Sequence, residues 1–223
     1  MFGTLRVLIP DLDPRDLDAT ADPPDDDLDE AMVDGADWSG RTLAGAGIRR
    51  SHLLGVTLTD ATWRNVRLYG CRFDRVDFSG SRLDGLTIER CEFVGCRMTG
   101  VQLADSTLKN VVFDDCRLDY AGLADVRASG PVAWAGCTLA NAVLTDCRLP
   151  AAVFADCRLA GLELNDCQLG GADLRGNDLS GISGLLSLRE ATVAASQLGD
   201  LAALAVRELD ITVVEGPPVV SRG

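Results

Sequence analysis

The sequence predicts an all-β solenoid, a quadrilateral parallel β-helix closed by a short C-terminal capping helix. Three observations predict it. An apolar residue returns at every fifth position, a second position in the same five-residue unit takes mostly small residues, and the register holds for twenty-nine units. Nineteen apolar centres run from Trp38 to Ala128 at strict spacing five. One residue is then inserted near Pro131, and ten more centres run from Trp134 to Leu179. Seventeen centres are Leu, five Phe, three Trp and two Ile, with Met98 and Ala128 completing the set, and none is charged. Two residues before the centres stand seven Ala, eight Cys, seven Val and three Ser, with Arg41, Leu86, Leu162 and Asn177 as the exceptions.

A helix of period 3.6 scatters such centres around its circumference, and a strand of period 2 alternates them between faces. Neither buries them together. A period of five does so when each quintet forms one side of a square coil, with the centre and the small residue turned inward. Four quintets close a turn of about twenty residues. Turns stacked like parallel strands at about 4.8 Å make a rod of roughly 35 Å, in which each coil buries its apolar residues against its neighbours.

Quintets such as Ala36-Asp37-Trp38-Ser39-Gly40, Ala172-Asp173-Leu174-Arg175-Gly176 and Asn177-Asp178-Leu179-Ser180-Gly181 resemble the pentapeptide-repeat family, whose consensus is Ala-(Asp/Asn)-Leu-x-x. The resemblance covers about two thirds of the chain and rests on the number of repeats in register. It implies a right-handed β-helix. It also implies that the C-terminal end can serve for dimerisation, and that some relatives mimic DNA and bind DNA gyrase or topoisomerase IV.

The organisation follows from this frame: an apolar and acidic leader or cap over residues 1–35, the β-helix over 36–181, a C-terminal cap over 182–215 and a tail over 216–223. Met1–Pro10 is short and apolar and is expected to lie against the first coil. Asp11–Asp34 is acidic and carries Pro14, Pro23 and Pro24, the composition of a flexible, self-repelling segment. It reads either as a solvated cap that keeps the open first coil from pairing with another molecule or as a tail that docks on a basic partner. The frame begins at Ala36, or at Ala31 if Val33 is counted as a centre. The insertion at Ala128–Trp134 reads as an outward bulge, because Pro131 cannot donate a ladder hydrogen bond; a recognition loop is the alternative. Trp134 is expected to fill the room left by Ala128. Beyond Gly181 a helix is expected over about 193–208, capped by Thr192 or Ser196, with Leu198, Leu201, Ala202, Ala205 and Leu209 along its apolar stripe. Ile211–Val214 reads as a short strand. Monomer and homodimer through this end both stay open.

The net charge of −13 resides mostly in the leader. Residues 1–37 hold twelve acids against Arg6 and Arg15, a net of −10; residues 38–223 hold twenty-two against nineteen basic residues, a net of −3. No run of eighteen apolar residues is present to span a membrane. Without a signal-peptide pattern at the N-terminus, the expected location is the cytoplasm.

All eight cysteines (Cys71, Cys91, Cys96, Cys116, Cys137, Cys147, Cys157 and Cys167) hold small positions. In twenty-residue coils they form columns whose thiols point the same way, which suits neither a disulfide nor a tetrahedral metal site. The one histidine, His52, is outward and has no histidine partner. No catalytic, cofactor-binding or metal-ligating set is therefore expected. The outer surface offers one pattern. Asp105, Asp125, Asp146 and Asp166 share a corner over four consecutive coils, a repulsive ladder of like charges. The structural reason is that Asp suits a turn; the functional one is that a row of carboxylates imitates a phosphate backbone. Against a clean mimic stand eight outward arginines (Arg67, Arg72, Arg82, Arg97, Arg117, Arg127, Arg148 and Arg158) and the expected pairs Asp115/Arg117, Asp125/Arg127, Asp146/Arg148 and Asp156/Arg158. The sequence thus predicts a non-catalytic scaffold for protein–protein interaction with an undefined protein partner, with no direct binding of nucleic acid or membrane. The alternative, suggested by the resemblance, is a DNA-mimicking binder of DNA gyrase or topoisomerase IV that confers quinolone or self-resistance.

Overall fold

A computed structural model describes residues 5–24, 27–214 and 216. The apolar centres and small positions face a common interior. Every centre but Ala128 is buried, and so is every small position but Arg41. Each coil has four sides. Taking the quintet at Ala36 as the first, the second side stacks seven strands from Thr42–Ala44 to Glu163–Asn165, one per turn. The third and fourth sides merge into longer strands at Thr87–Val94 and Thr107–Asp114. The first side is held by isolated bridges running from Asp37 through Thr57, Asp77, Arg97 and Arg117 to Thr138. All pairings are parallel, and the register step is twenty residues, as in Leu83 opposite Leu103.

The insertion is absorbed locally. Leu108 faces Ala128, a step of twenty, whereas Val111 faces Val132, a step of twenty-one. The extra residue therefore lies in Ser129–Pro131, and the twenty-residue step returns between Trp134 and Phe154. Trp134 is buried in the same core against which Ala128 packs. It joins the fourth-side aromatic column, with ring centroids 5.4 Å from Phe113 and 4.8 Å from Phe154. Phe93–Phe113 and Phe73–Phe93 extend the same stack at 4.9 and 4.6 Å. The twenty-residue repeat puts like rings at the strand spacing, and stacking adds to their burial. Ala128 lines an open groove on the third side.

The leader is more ordered than its charge suggests. Asp18–Thr20 pairs in parallel with Ala31–Val33, Leu28 pairs with Ile48, and the Trp38 indole donates to Ala21 O at 2.9 Å. The residues before the repeat thus satisfy edge groups of the first coil. Met1–Thr4 lies outside the described residues. The Leu8 N–H, rather than meeting the first coil, donates to Asn110 Oδ1 at 3.3 Å, in the fourth coil of the rod.

At the other end the helix is Leu198–Glu208, preceded by a 3₁₀ turn at Ala195–Gln197. Its start differs from expectation because Thr192 still bridges Asp173 within the last coil; Gln197 accepts from the Ala194 N–H at 2.6 Å. Leu204 is buried and Leu201 partly so, whereas Leu198 and Leu209 of the expected stripe face outward. The polar residues Gln197, Arg207 and Glu208 decide the rotation. Gln197 donates to Leu174 O and Asn177 O, Arg207 to Ile182 O, and the Glu208 carboxylate accepts from the N–H groups of Gly184 and Leu185. These are backbone groups at the open end of the last coil, and pairing them outweighs turning every leucine inward. Ile211–Val214 is exposed and not a strand. Apart from Gly216, the 216–223 tail lies outside the described residues.

Candidate interaction surfaces

Nearly every corner between sides turns through the left-handed region, whether its residue is glycine or not, with Gly130 at the insertion and Gly181 as exceptions. That conformation costs an L-residue roughly 1–2 kcal/mol, least for Asn and Asp, whose short polar side chains bond locally. The acidic ladder sits at such a corner. Asp105, Asp125, Asp146 and Asp166 have φ of 47°, 53°, 54° and 54°, and all four are exposed. Asn65, with φ 53°, precedes them in the column.

None of the expected Asp–Arg pairs forms. Among the described residues no basic group lies within 4.0 Å of the four ladder carboxylates. Arg117 reaches Asp119 at 3.9 Å instead of Asp115, and among the described residues Arg127, Arg148 and Arg158 have no ion-pair partner. A corner carboxylate and an outward residue two positions later lie on different sides, whereas residues one coil apart are neighbours along the rod. The pairs that join neighbouring coils run along the axis: Arg97 with Asp77 at 3.3 Å, Lys109 with Glu89 at 2.9 Å, and Arg72 with Glu92. The ladder is thus a row of four carboxylates without counter-charges among the described residues. On the third side beside it, Arg127 faces Arg148 in register. With Arg189, Pro150, Leu186 and Ala128 these line a groove of about 680 Å³. Sequence reasoning missed this groove; its signal was the small residue at centre 128.

The cysteines are buried and free. Seven of the thiols donate to carbonyl oxygens of their own and the preceding turn, as Cys116 does to Phe93 O at 3.3 Å and Asp114 O at 3.4 Å, and Cys91 donates to Glu89 O at 3.3 Å. Burial pushes the Cys91 thiol well up, and a hydrogen bond to Cys116 together with burial pushes Cys137 up to about 12. Such thiols are poor nucleophiles. Among the described residues no group of His, Cys, Asp or Glu could hold a metal ion. His52 is half-buried, its Nε2 without a partner among the described residues, and stacked in register on Arg72. No helix among the described residues is long and apolar enough to cross a membrane.

Comparison with known proteins agrees with this architecture. Residues 66–129 match the family described as "Pentapeptide repeat region", and residues 137–176 match "Pentapeptide repeats (8 copies)". Neither is a family of enzymes. No curated protein sequence matches significantly. Among solved structures the chain is similar to a trypsin-treated variant of QnrB1, described as a plasmid-mediated fluoroquinolone resistance protein. That likeness has a TM-score of 0.57 and 17% identity, covering 85% of this chain and 92% of that one. HetL, described as involved in heterocyst differentiation regulation in the cyanobacterium Nostoc sp. strain PCC 7120, matches at 21% identity and TM-score 0.45, over 75% of this chain and 78% of HetL. At these identities the likeness is one of fold. With its five-residue frame, four-sided coils and inward centres, the chain belongs to the pentapeptide-repeat family.

Proposed function

We propose that the protein is a non-catalytic scaffold that binds another protein along its acidic corner. The observation that supports this reading is the exposed column Asp105, Asp125, Asp146 and Asp166, which has no counter-charge among the described residues on a rod whose interior is filled. A row of unpaired carboxylates stores repulsion that a basic partner relieves. The nearby arginines, also unpaired among the described residues, give the surface alternating stripes of charge, which suits a protein partner better than a uniformly acidic imitation of DNA.

The second reading is a DNA mimic that binds DNA gyrase or topoisomerase IV. It is favoured by the failure of the four carboxylates to pair with arginine, since this leaves their field unneutralised, and by the likeness of fold to a fluoroquinolone resistance protein. One experiment separates the two: gyrase supercoiling and cleavage assays with and without a fluoroquinolone, at two salt concentrations, using the wild type and the quadruple Asp→Asn variant. Mimicry predicts inhibition or drug protection at near-stoichiometric protein that weakens with salt and in the variant. No effect in large excess removes gyrase as the partner. A pull-down lost in the same variant then supports the general scaffold, and one unchanged by it rejects the acidic corner. The scaffold is expected to act in the cytoplasm. We also propose that it forms a homodimer through its C-terminal end, where Leu198, Leu209, Ile211, Val213 and Val214 are exposed together in the cap. Light scattering should show a dimer that Leu198→Asp dissociates; a monomeric wild type rejects it.

A further inference from the structure

The fourth side carries an apolar stripe on its outer surface. Its two outward columns carry charge towards the ends, at Asp34, Arg72 and Asp74 and again at Asp173 and Arg175. Between these they read Val94, Val112, Ala133, Ala135, Val153 and Ala155, with Glu92 and Asp114 as the exceptions. Outward residues of this rod are exposed or half-buried as a rule, yet Val112 and Ala133 are 1% and 0% exposed, and Ala135 is 8%. Val112 and Ala133 are register partners on adjacent coils. Asn110, at the neighbouring corner, is 7% exposed although the ladder aspartates at equivalent turns are open. Something covers this spot from outside. The Leu8 N–H donates to Asn110 Oδ1, so it is the N-terminal arm. In the arm Leu5 and Val7 are half-buried and Arg6 and Leu8 exposed, the alternation of an extended strand with one face down.

We infer that the Val112–Ala133 stripe is a docking site for an extended aliphatic peptide, and that the arm Leu5–Pro10 is its intramolecular occupant, a strap that must lift before a partner strand of the same chemistry can bind. The arm is suited to lifting. Leu8 and Ile9 remain 54% and 51% exposed, residues 6–13 form no strand, and the segment that follows is acidic. Because that segment returns to pair with the first coil, release of the arm need not open the β-helix. The stripe is on the fourth side, away from the acidic corner between the second and third, so this inference does not depend on the proposed function.

The test uses a chain lacking residues 1–13, the full chain, and a fluorescent peptide of residues 5–13. Anisotropy should show saturable binding to the shortened chain, at least tenfold weaker binding to the full chain, whose own arm competes, and none by a Val7→Asp peptide. Val112→Cys gives a second readout over a background of buried native thiols. Maleimide should modify the thiol introduced at 112 at least tenfold faster in the shortened chain than in the full one. If the shortened chain fails to fold, Val7→Asp in the full chain must produce the same acceleration. Absent or unsaturable peptide binding, equal affinity for both chains, or equal labelling rates would each overturn the inference.

Discussion

The frame is tested most severely by placing a charge at a mid-rod centre. Leu118 is 2% exposed on the first side, and its backbone N–H donates to Thr138 O at 2.7 Å in the next coil. Truncating such a leucine to alanine costs about 3–5 kcal/mol through lost burial and the cavity left behind. Aspartate at the same place adds about 1–3 kcal/mol for an unpaired polar group even when neutral. Leu118→Asp should therefore cost about 4–8 kcal/mol, a large part of a domain's usual stability of about 5–15 kcal/mol. The pH dependence carries the sign. Burial raises the carboxyl's folded-state pKa above the unfolded value of about 3.9, so below that value both states are neutral and the extra penalty over alanine is smallest. As pH rises the unfolded state ionises first, and the penalty grows by about 1.4 kcal/mol per unit until the folded-state pKa is reached. Urea titrations of wild type, Leu118→Ala and Leu118→Asp at pH 4 and pH 7 measure both terms. A cost for Asp below about 1 kcal/mol, or an Asp–Ala difference that shrinks with rising pH, would refute an inward centre.

Trp134→Phe should cost under about 1.5 kcal/mol, because the cavity is offset by removal of a buried indole N–H that has no partner among the described residues; thermal melts check it. Asn177→Ala should cost about 2–4 kcal/mol, since Asn177 accepts from Cys157 N and donates to Phe154 O and Leu174 O inside the rod. Ellman's reagent at pH 8 should leave the eight buried cysteines unmodified over the time in which the urea-unfolded chain reacts fully. Burial, with the Arg72 charge second, holds the His52 imidazole below its ordinary value. As pH falls below about 6.5 the unfolded state takes up a proton that the folded state resists, so stability declines; His52→Gln should remove that part of the slope in denaturant titrations.

Period five was enough to determine a four-sided parallel coil and the inward residues, because no other backbone buries centres at that spacing. The sequence also determined the cysteine columns, the position of the insertion near Pro131, and the corner on which the four aspartates stack. It could not determine their charge partners: coil stacking brings i and i+20 closer than a bend in the chain brings i and i+2, so Arg97 meets Asp77 while Arg127 misses Asp125. The ends were least legible. Helix periodicity proposed Leu198 and Leu209 as the buried stripe, but the last coil's open carbonyl and N–H groups recruited Gln197, Arg207 and Glu208 and set the rotation. Repeats determine their own neighbours by spacing. Where the repeat stops, only the three-dimensional surface decides what the remaining segments meet, which is why the arm's contact with Asn110, 102 residues away, has no signal in the chain's order.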